Sequence, residues 1–204
     1  MFEGLIFDLD GTVYLGDELI PGVKGLLNEL KENGYKVVYL SNKALQRRST
    51  YAEKLTELGV PTPEDQVVNS SYVMASYLAE IAPGARVYVI GEAPLVEELK
   101  NAGLEISEDP EKIDYVVASF DRDFHYDKLH IAYDAIMNGA GFVATNPDRT
   151  CPVEGGEVPD AAGMIGAIEG VTGKEVEKIT GKPSKLMVQA ALDRLEVSPE
   201  KCLL

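Results

Sequence analysis

Hydrophobic residues follow two alternating periods along this chain of 204 residues. Short apolar runs, which are typical of buried strands, occupy residues 5–7, 37–40, 67–68, 87–90, 115–119 and 142–144. Apolar residues at helical spacing occupy residues 23–33, 44–58, 70–81, 94–102, 126–137, 161–171 and 184–195. Because strands alternate with helices, the pattern predicts an α/β fold with mostly parallel sheets.

The residues between these elements carry turn and capping signals. Either Ser70 or Ser71 is expected to cap the helix that follows, because a hydroxyl can accept a hydrogen bond from the first turn. Residues 145–159 are predicted to form a long loop. Residues 177–180 are predicted to be extended, and residues 201–204 to begin another strand.

The clearest break in the pattern is Pro83-Gly84, after which strands and helices start again. We therefore predict two α/β units. Residues 1–83 and 177–204 form the first, and residues 84–176 form a smaller second unit inserted into it.

Composition narrows the range of partners. The formal net charge is −15, which repels nucleic acid and anionic membranes, so neither is an expected partner. Two cysteines far apart in sequence form neither a disulfide framework nor a zinc pattern, and the two histidines lack metal-ligand spacing. No apolar leader precedes the first strand and no run is long enough to span a bilayer, so we expect a cytoplasmic protein.

The stretch with the strongest chemical signal is Leu5-Ile6-Phe7-Asp8-Leu9-Asp10-Gly11-Thr12. Asp8 and Asp10 can leave the end of a buried strand on the same side, because side chains alternate along a strand. Two acids there need a counterion, and Mg²⁺ suits a site with few carboxylates and several waters. A strand that ends in a solvated acidic turn is the simpler alternative.

This stretch resembles the first motif of the haloacid dehalogenase superfamily, most of whose members are phosphatases. The resemblance implies that Asp8 is the nucleophile, forming an aspartyl-phosphate, and that Asp10 is the general acid and base. It also implies Mg²⁺ held by an Asp8 carboxylate oxygen and the backbone carbonyl of Asp10. Thr12 offers a hydroxyl and an N–H in the same turn and is a candidate substrate-binding residue.

Other segments narrow the resemblance to the 4-nitrophenylphosphatase-like branch, which has a large inserted α/β cap. They are Phe120-Asp121-Arg122, Ala144-Thr145-Asn146-Pro147-Asp148, Val158-Pro159-Asp160, Ala167-Ile168-Glu169, Thr172-Gly173-Lys174 and Gly181-Lys182-Pro183. The resemblance implies a Rossmann-like parallel-sheet core with an inserted α/β cap domain. It implies a small phosphorylated metabolite as substrate and allows a homodimer formed through the cap.

Two further motifs supply candidate polar groups. Ser41 follows the second strand, where a hydroxyl can bind a phosphoryl oxygen, although it could equally cap a helix. Asn42 follows as in the family. Lys43 departs from the family, and its cation could assist an anionic substrate or point to solvent. Lys182 matches the lysine of the third motif. The resemblance implies that this lysine contacts the nucleophile and the phosphoryl group, where its charge offsets the acids and the phosphate.

The predicted loop after the strand at 142–144 carries Asn146 and Asp148, which either contact the substrate or form a plain Asn-Pro-Asp turn. The family's fourth motif, whose acids complete the Mg²⁺ site, is not found before Leu204. We therefore expect the chain to be a fragment that binds Mg²⁺ weakly.

The expected activity is Mg²⁺-dependent hydrolysis of a small phosphomonoester, such as a sugar phosphate, nucleotide or aryl phosphate. One alternative is a protein that binds phosphate esters without catalysis, because the metal site lacks an acid. A second is a signalling receiver domain. It is disfavoured because receiver domains carry the phospho-accepting Asp after a later strand, whereas here both acids follow the first strand.

Overall fold

The computed structural model describes residues 2–153 and 155–204. The strands are β1 (Gly4–Asp8), β2 (Tyr14–Leu15), β3 (Glu18–Leu19), β4 (Lys36–Ser41), β5 (Val67–Asn69), β6 (Arg86–Ile90), β7 (Glu105–Ile106), β8 (Tyr115–Ala118), β9 (Gly141–Ala144), β10 (Thr150–Val153), β11 (Gly156–Pro159), β12 (Lys178–Ile179) and β13 (Cys202–Leu203). The helices are α1 (Val23–Glu32), α2 (Arg48–Glu57), α3 (Ser70–Ile81), α4 (Ala93–Asn101), α5 (Tyr126–Met137), α6 (Ala161–Thr172) and α7 (Lys185–Leu195), and short 3₁₀ turns occupy Glu64–Gln66 and Pro199–Lys201.

The first sheet is parallel and has the order β13-β1-β4-β5. Alternate residues of its central strands point to opposite faces, as the pleat requires. Tyr39 packs in the cluster that contains residues of α1 and α2, whereas Val38 and Leu40 pack with residues of α3 and α7. Both faces are covered, which explains why residues 37–40 of β4 are all apolar.

The second sheet has the order β12-β9-β8-β6-β7 and is also parallel. Residues of α5 and α6 cover one face, and residues of α3 and α4 cover the other. Helix α3 packs against both sheets. Val73 lies in the hydrophobic core on the first sheet, whereas Met74 and Leu78 lie in the core on the second sheet. The predicted α/β class, with a parallel-sheet core and an inserted α/β cap, is confirmed.

The second sheet extends past residue 176, where the sequence placed the end of the inserted unit. Lys178 pairs with Val143 and Ile179 pairs with Ala144, so β12 is an edge strand of the second sheet and not part of the first. Strand β9 pairs with β8 on one side only, so its other edge is open to a parallel strand such as β12. The exact bounds of the two domains stay a prediction. The chain returns toward the first sheet only after β12.

Three local predictions were wrong. Residues 145–159 are not one long loop, since β10 and β11 pair as an antiparallel hairpin. Helix α2 begins at Arg48 rather than Ala44. The cap of α3 is Asn69, whose side chain accepts a hydrogen bond from the Tyr72 amide, and Ser70 and Ser71 are helical.

Two short elements, the β2–β3 hairpin and the edge strand β7, were not predicted. Both consist of two-residue strands, which are too short to show a period. In the described residues, no helix is long and apolar enough to cross a bilayer.

Candidate active site

The candidate site lies where β1 and β4 end side by side. Asp8 is the last residue of β1 and is aligned with Leu40 in β4, so Ser41 is its neighbour at the same edge of the sheet. Ligands of parallel α/β sheets bind at the carboxyl ends of the strands. The buried runs of both strands therefore carry these polar residues to one place.

Lys182 reaches this edge from a distant part of the chain. Its Nζ lies 2.6 Å from Asp8 Oδ1, and the Leu9 amide donates to the same oxygen at 2.8 Å. The lysine lies just before α7, whose N-cap is Ser184. With Oδ1 held by two donors, Oδ2 has no protein donor among the residues that the structure describes.

Asn42 joins the segments that carry these groups. The Lys182 amide donates to Asn42 Oδ1 at 2.7 Å, and Asn42 Nδ2 donates to Asp148 Oδ2 at 2.9 Å. Gly181 lies against the side-chain amide of Asn42. A Cβ at position 181 would be 2.8 Å from Asn42 Oδ1 and 2.5 Å from the Thr145 carbonyl oxygen. A glycine is therefore needed for the approach of Lys182.

Asn146, Asp148 and Asp160 form a second polar cluster beside the first. Asn146 Nδ2 donates to Asp148 Oδ2 at 3.1 Å and to Asp160 Oδ1 at 3.2 Å. Asp160 is buried at the start of α6, where it caps the helix through the Ala161 amide. Burial raises the pKa of Asp160 above its usual value, although the hydrogen bonds from Ala161 and Asn146 oppose the shift.

Lys43 turns into the site and pairs with Asp10. Its Nζ lies 2.7 Å from Asp10 Oδ1 and 3.5 Å from the Pro152 carbonyl oxygen in the β10–β11 hairpin. The two side chains are 22% and 23% exposed, so water screens the pair only partly. Of the two roles left open by the sequence, a side chain directed to solvent is therefore wrong.

Most of these groups line one cavity of about 410 Å³, a size suited to a small metabolite. Its lining residues are Asp8, Asp10, Ser41, Asn42, Lys43, Asp148, Thr150, Cys151, Pro152, Asp160, Lys182 and Pro183. A larger groove of about 590 Å³ lies near Phe2 and Tyr35, before the starts of β1 and β4, away from the paired acids and lysines. We place the site in the smaller cavity because the acids and lysines converge there.

Six of the predicted site residues line this cavity: Asp8, Asp10, Ser41, Asn42, Asp148 and Lys182. Two do not. Thr12 is exposed in the turn after β1, and Asn146 is buried behind Asp148. Their proposed substrate contacts, like the roles of the other six, stay predictions.

Sequence reasoning missed Thr150, Cys151, Pro152 and Asp160. Cys151 is buried, and burial raises the pKa of its thiol. Asp160 directly precedes a predicted helix and could have been predicted as its N-cap. The β10–β11 hairpin, which brings the other three residues to the cavity, could not have been predicted.

The donor chemistry at the acids fits Mg²⁺ in part. An Asp8 carboxylate oxygen and the Asp10 carbonyl are hard oxygen ligands, and Mg²⁺ commonly keeps several waters and takes substrate phosphate oxygens as well. Within residues 2–153 and 155–204, no group of three His, Cys, Asp or Glu converges as a metal site. The described residues thus offer Mg²⁺ few anionic ligands.

Comparison with known proteins decides the family. A haloacid dehalogenase-like hydrolase family matches residues 5–105. The sugar-phosphatase AraL of Bacillus subtilis is 39% identical over 201 residues, covering 98% of this chain and 74% of the relative. The chain belongs to the haloacid dehalogenase-like hydrolases. The family predicted from the motifs is confirmed.

Other members of the family support the same assignment. An acid sugar phosphatase of Staphylococcus epidermidis is 37% identical over 194 residues, covering 95% of this chain and 74% of the relative. The solved structure of a p-nitrophenyl phosphatase from Archaeoglobus fulgidus superimposes with a TM-score of 0.93 at 34% identity, covering 98% of this chain and 77% of that one. The similarity therefore extends over both sheets, and it confirms the predicted enzyme class, phosphoric monoester hydrolase.

Proposed function

We propose that the chain hydrolyses a small phosphomonoester, with Mg²⁺ and through an aspartyl-phosphate on Asp8. The observation that carries this proposal is the pairing of Asp8 with Lys182 at 2.6 Å, in a cavity that also contains Asp10 and Ser41. A carboxylate beside a lysine can accept a phosphoryl group whose negative charge the lysine offsets.

In the first step, Asp8 Oδ2 attacks phosphorus while the bond from phosphorus to the substrate oxygen breaks. Lys182 holds Oδ1 and so orients the free oxygen. Asp10, protonated at this stage, gives its proton to the leaving oxygen, which departs as an alcohol. The Ser41 hydroxyl lines the cavity, where it can donate to a phosphoryl oxygen.

In the second step, a water molecule attacks the phosphorus of the aspartyl-phosphate. Asp10, now a carboxylate, takes a proton from this water as general base. The bond from Asp8 to phosphorus breaks, so that inorganic phosphate and the original carboxylate form. Mg²⁺, held by Asp8 and the Asp10 carbonyl, would supply positive charge to the phosphoryl oxygens.

The net charge of the cavity supports the need for a cation. Asp8, Asp10, Asp148 and Asp160 face two lysines, Lys43 and Lys182. A phosphate dianion adds further negative charge, which the lysines cannot balance by themselves. Sugar phosphates and nitrophenyl phosphate are the first substrates to test, because relatives are named for activity on them.

The test measures turnover of nitrophenyl phosphate and of a panel of sugar phosphates, with Mg²⁺ and after chelation. We expect turnover that chelation abolishes and Mg²⁺ restores, with weak Mg²⁺ binding by calorimetry. Asp8→Asn should remove turnover while the protein stays folded, because an amide is a poor nucleophile. Asp193→Asn, an exposed aspartate on α7, is the matched control and should keep it.

Trapping distinguishes the mechanism from simple binding. Borohydride reduction of an acyl phosphate at Asp8 would convert this residue to homoserine, which peptide mass spectrometry detects. Binding of sugar phosphates to the wild-type chain without turnover would favour the alternative of a non-catalytic binding protein. Turnover that survives in Asp8→Asn would refute the mechanism.

A further inference from the structure

We propose that Lys43 is a positioning residue that holds the carboxyl group of Asp10 in the orientation needed for proton transfer. This inference rests on the proposed function, since it assigns Lys43 a task in that reaction. It concerns a residue whose role the sequence left open.

The main chain of Lys43 is fixed on both sides. Its amide donates to Ser41 Oγ at 3.1 Å, and its carbonyl accepts from the Tyr51 hydroxyl at 3.4 Å. Tyr51 is buried in the first core, so this long contact joins the Lys43 main chain to a packed side chain. The flexible lysine side chain therefore starts from a fixed point at the edge of the cavity.

The far end of the side chain is held as well. Nζ is 2.7 Å from Asp10 Oδ1, with the Pro152 carbonyl 3.5 Å away as a second, weaker acceptor. These two acceptors hold Nζ against the Asp10 carboxylate. The pair fixes one carboxylate oxygen of Asp10, and Oδ2 has no protein donor within the described part of the chain.

The cavity thus contains two lysine–aspartate pairs with different tasks. Lys182 engages Asp8, which attacks phosphorus, and Lys43 engages Asp10, which transfers the proton. Correct orientation of a reacting group is worth much of its catalytic effect. Loss of Lys43 should therefore affect the step that depends on Asp10 more than the attack by Asp8.

The test compares leaving groups in Lys43→Met. The comparison uses kcat/KM, which reports the steps up to departure of the leaving group and leaves out the later attack of water, in which Asp10 acts for both substrates. Nitrophenolate leaves without a proton, so kcat/KM for nitrophenyl phosphate should fall less than about 3-fold. For an alkyl phosphate such as glycerol phosphate, kcat/KM should fall about 10- to 100-fold, part of the ~10²–10⁴ that general acid catalysis supplies. Lys43→Arg should restore part of the loss.

Two further variants sharpen the comparison. Lys112→Met removes an exposed lysine–aspartate pair between β7 and β8 and should leave the turnover of both substrates unchanged. In an Asp10→Asn background, Lys43→Met should cost less than about 2-fold more on the alkyl phosphate, because the two residues act as one unit.

Equal losses of kcat/KM for both leaving groups would overturn the proposal, because a lysine that binds the substrate anion affects both substrates alike. Unchanged kcat/KM for both would also overturn it. A wild-type protein inactive on every phosphomonoester would instead refute the proposed function. Independently of activity, a crystal structure with Lys43 Nζ more than about 4 Å from Asp10 in every molecule, beyond direct hydrogen-bonding distance, would refute the inference.

Discussion

Gly181 shows how one residue without a side chain determines the position of Lys182. Its amide donates to the Thr145 carbonyl at 2.6 Å, and the space where a Cβ would be is occupied by this carbonyl and by Asn42. Backbone oxygen cannot move aside as a flexible side chain can. The short segment after β12 is therefore packed directly against the loop after β9.

We expect Gly181→Ala to destabilise the protein by about 1–3 kcal/mol, the usual cost of forcing extra volume into a packed site. Turnover should also fall, because Lys182 would move away from Asp8. Urea unfolding and nitrophenyl phosphate turnover measure the two effects. Gly166→Ala is the control: it lies in α6 with nothing within 4 Å, and alanine favours helix by up to about 1 kcal/mol. Equal stability in both variants would contradict the argument.

Asp160 provides a prediction about pH. Its pKa in the folded protein is raised by burial, so the ionised form is less stable there than in the unfolded chain. The protonated form favours folding, and this advantage is lost as the pH rises from the unfolded value through the raised folded value. At neutral pH the ionised carboxylate therefore lowers stability.

Asp160→Asn should accordingly raise the Tm at pH 7. The amide oxygen can keep the hydrogen bonds from Ala161 and Asn146, both of which reach Oδ1. As the pH falls through the raised pKa of the folded protein toward the ordinary carboxyl value, Asp160 of the wild type becomes neutral and the difference in Tm should shrink. Calorimetric scans from pH 4 to pH 7 measure it, since ordinary carboxyl pKa values lie near about 4. A variant less stable than wild type at pH 7 would contradict the prediction.

At the scale of elements, the start of α3 depends on Asn69. This residue ends β5 with an extended backbone, its Oδ1 accepts from the Tyr72 amide at 2.9 Å, and its Nδ2 donates to the Gln46 carbonyl at 3.2 Å. One buried side chain thus caps the helix and fixes the loop after β4. Helix α3 packs against both sheets, so its position is important for both layers.

Asn69→Ala should cost about 1–2 kcal/mol, since a lost cap typically costs ~1 kcal/mol and a further hydrogen bond is broken. Ser71→Ala is the matched control, because the Ser71 hydroxyl is buried without a partner among the described residues. We expect the control to be close to neutral in urea unfolding. If Ser71→Ala were the more damaging change, the cap would be wrongly assigned.

At the scale of the whole molecule, ion pairs connect a helix that covers the first sheet with a helix that covers the second. Arg47 and Arg48 at the start of α2 pair with Glu97 and Glu98 of α4. The two pairs differ in exposure: the Glu98 and Arg48 side chains are 14% and 15% exposed, whereas Glu97 is 40% exposed and Arg47 62%. Water and salt screen the exposed pair more strongly.

We therefore expect Glu98→Gln to destabilise the protein by roughly 1–2 kcal/mol, as for a hydrogen bond to a charged group. Glu97→Gln, one position earlier on the same helix, should cost less than Glu98→Gln, because water screens its ion pair. Urea unfolding at low and high salt measures both changes, and only the small Glu97 effect should disappear at high salt. The reverse order would show that burial does not control these contacts.

The sequence determined the elements and the set of candidate acids and lysines. The spacing of apolar residues along the chain predicted the strands and helices, because the repeat of each type of element decides which residues share a face. Two parallel strands that end in polar residues place those residues at one edge, which is why Asp8 and Ser41 could be predicted as neighbours. The family motifs then added Asn42, Asp148 and Lys182, all of which line the same cavity.

Only the tertiary structure decided the partner of Lys43. This residue lies 33 positions from Asp10 and 109 from Pro152, whereas the contact of Lys182 with Asp8 was already implied by the family motif. No local pattern encodes such distances, so the partner of Lys43 stayed open in the sequence. The same holds for β12, whose two residues were assigned to the first unit. They pair with the second sheet because β9 offered them a free parallel edge, and that edge exists only once the sheet has formed.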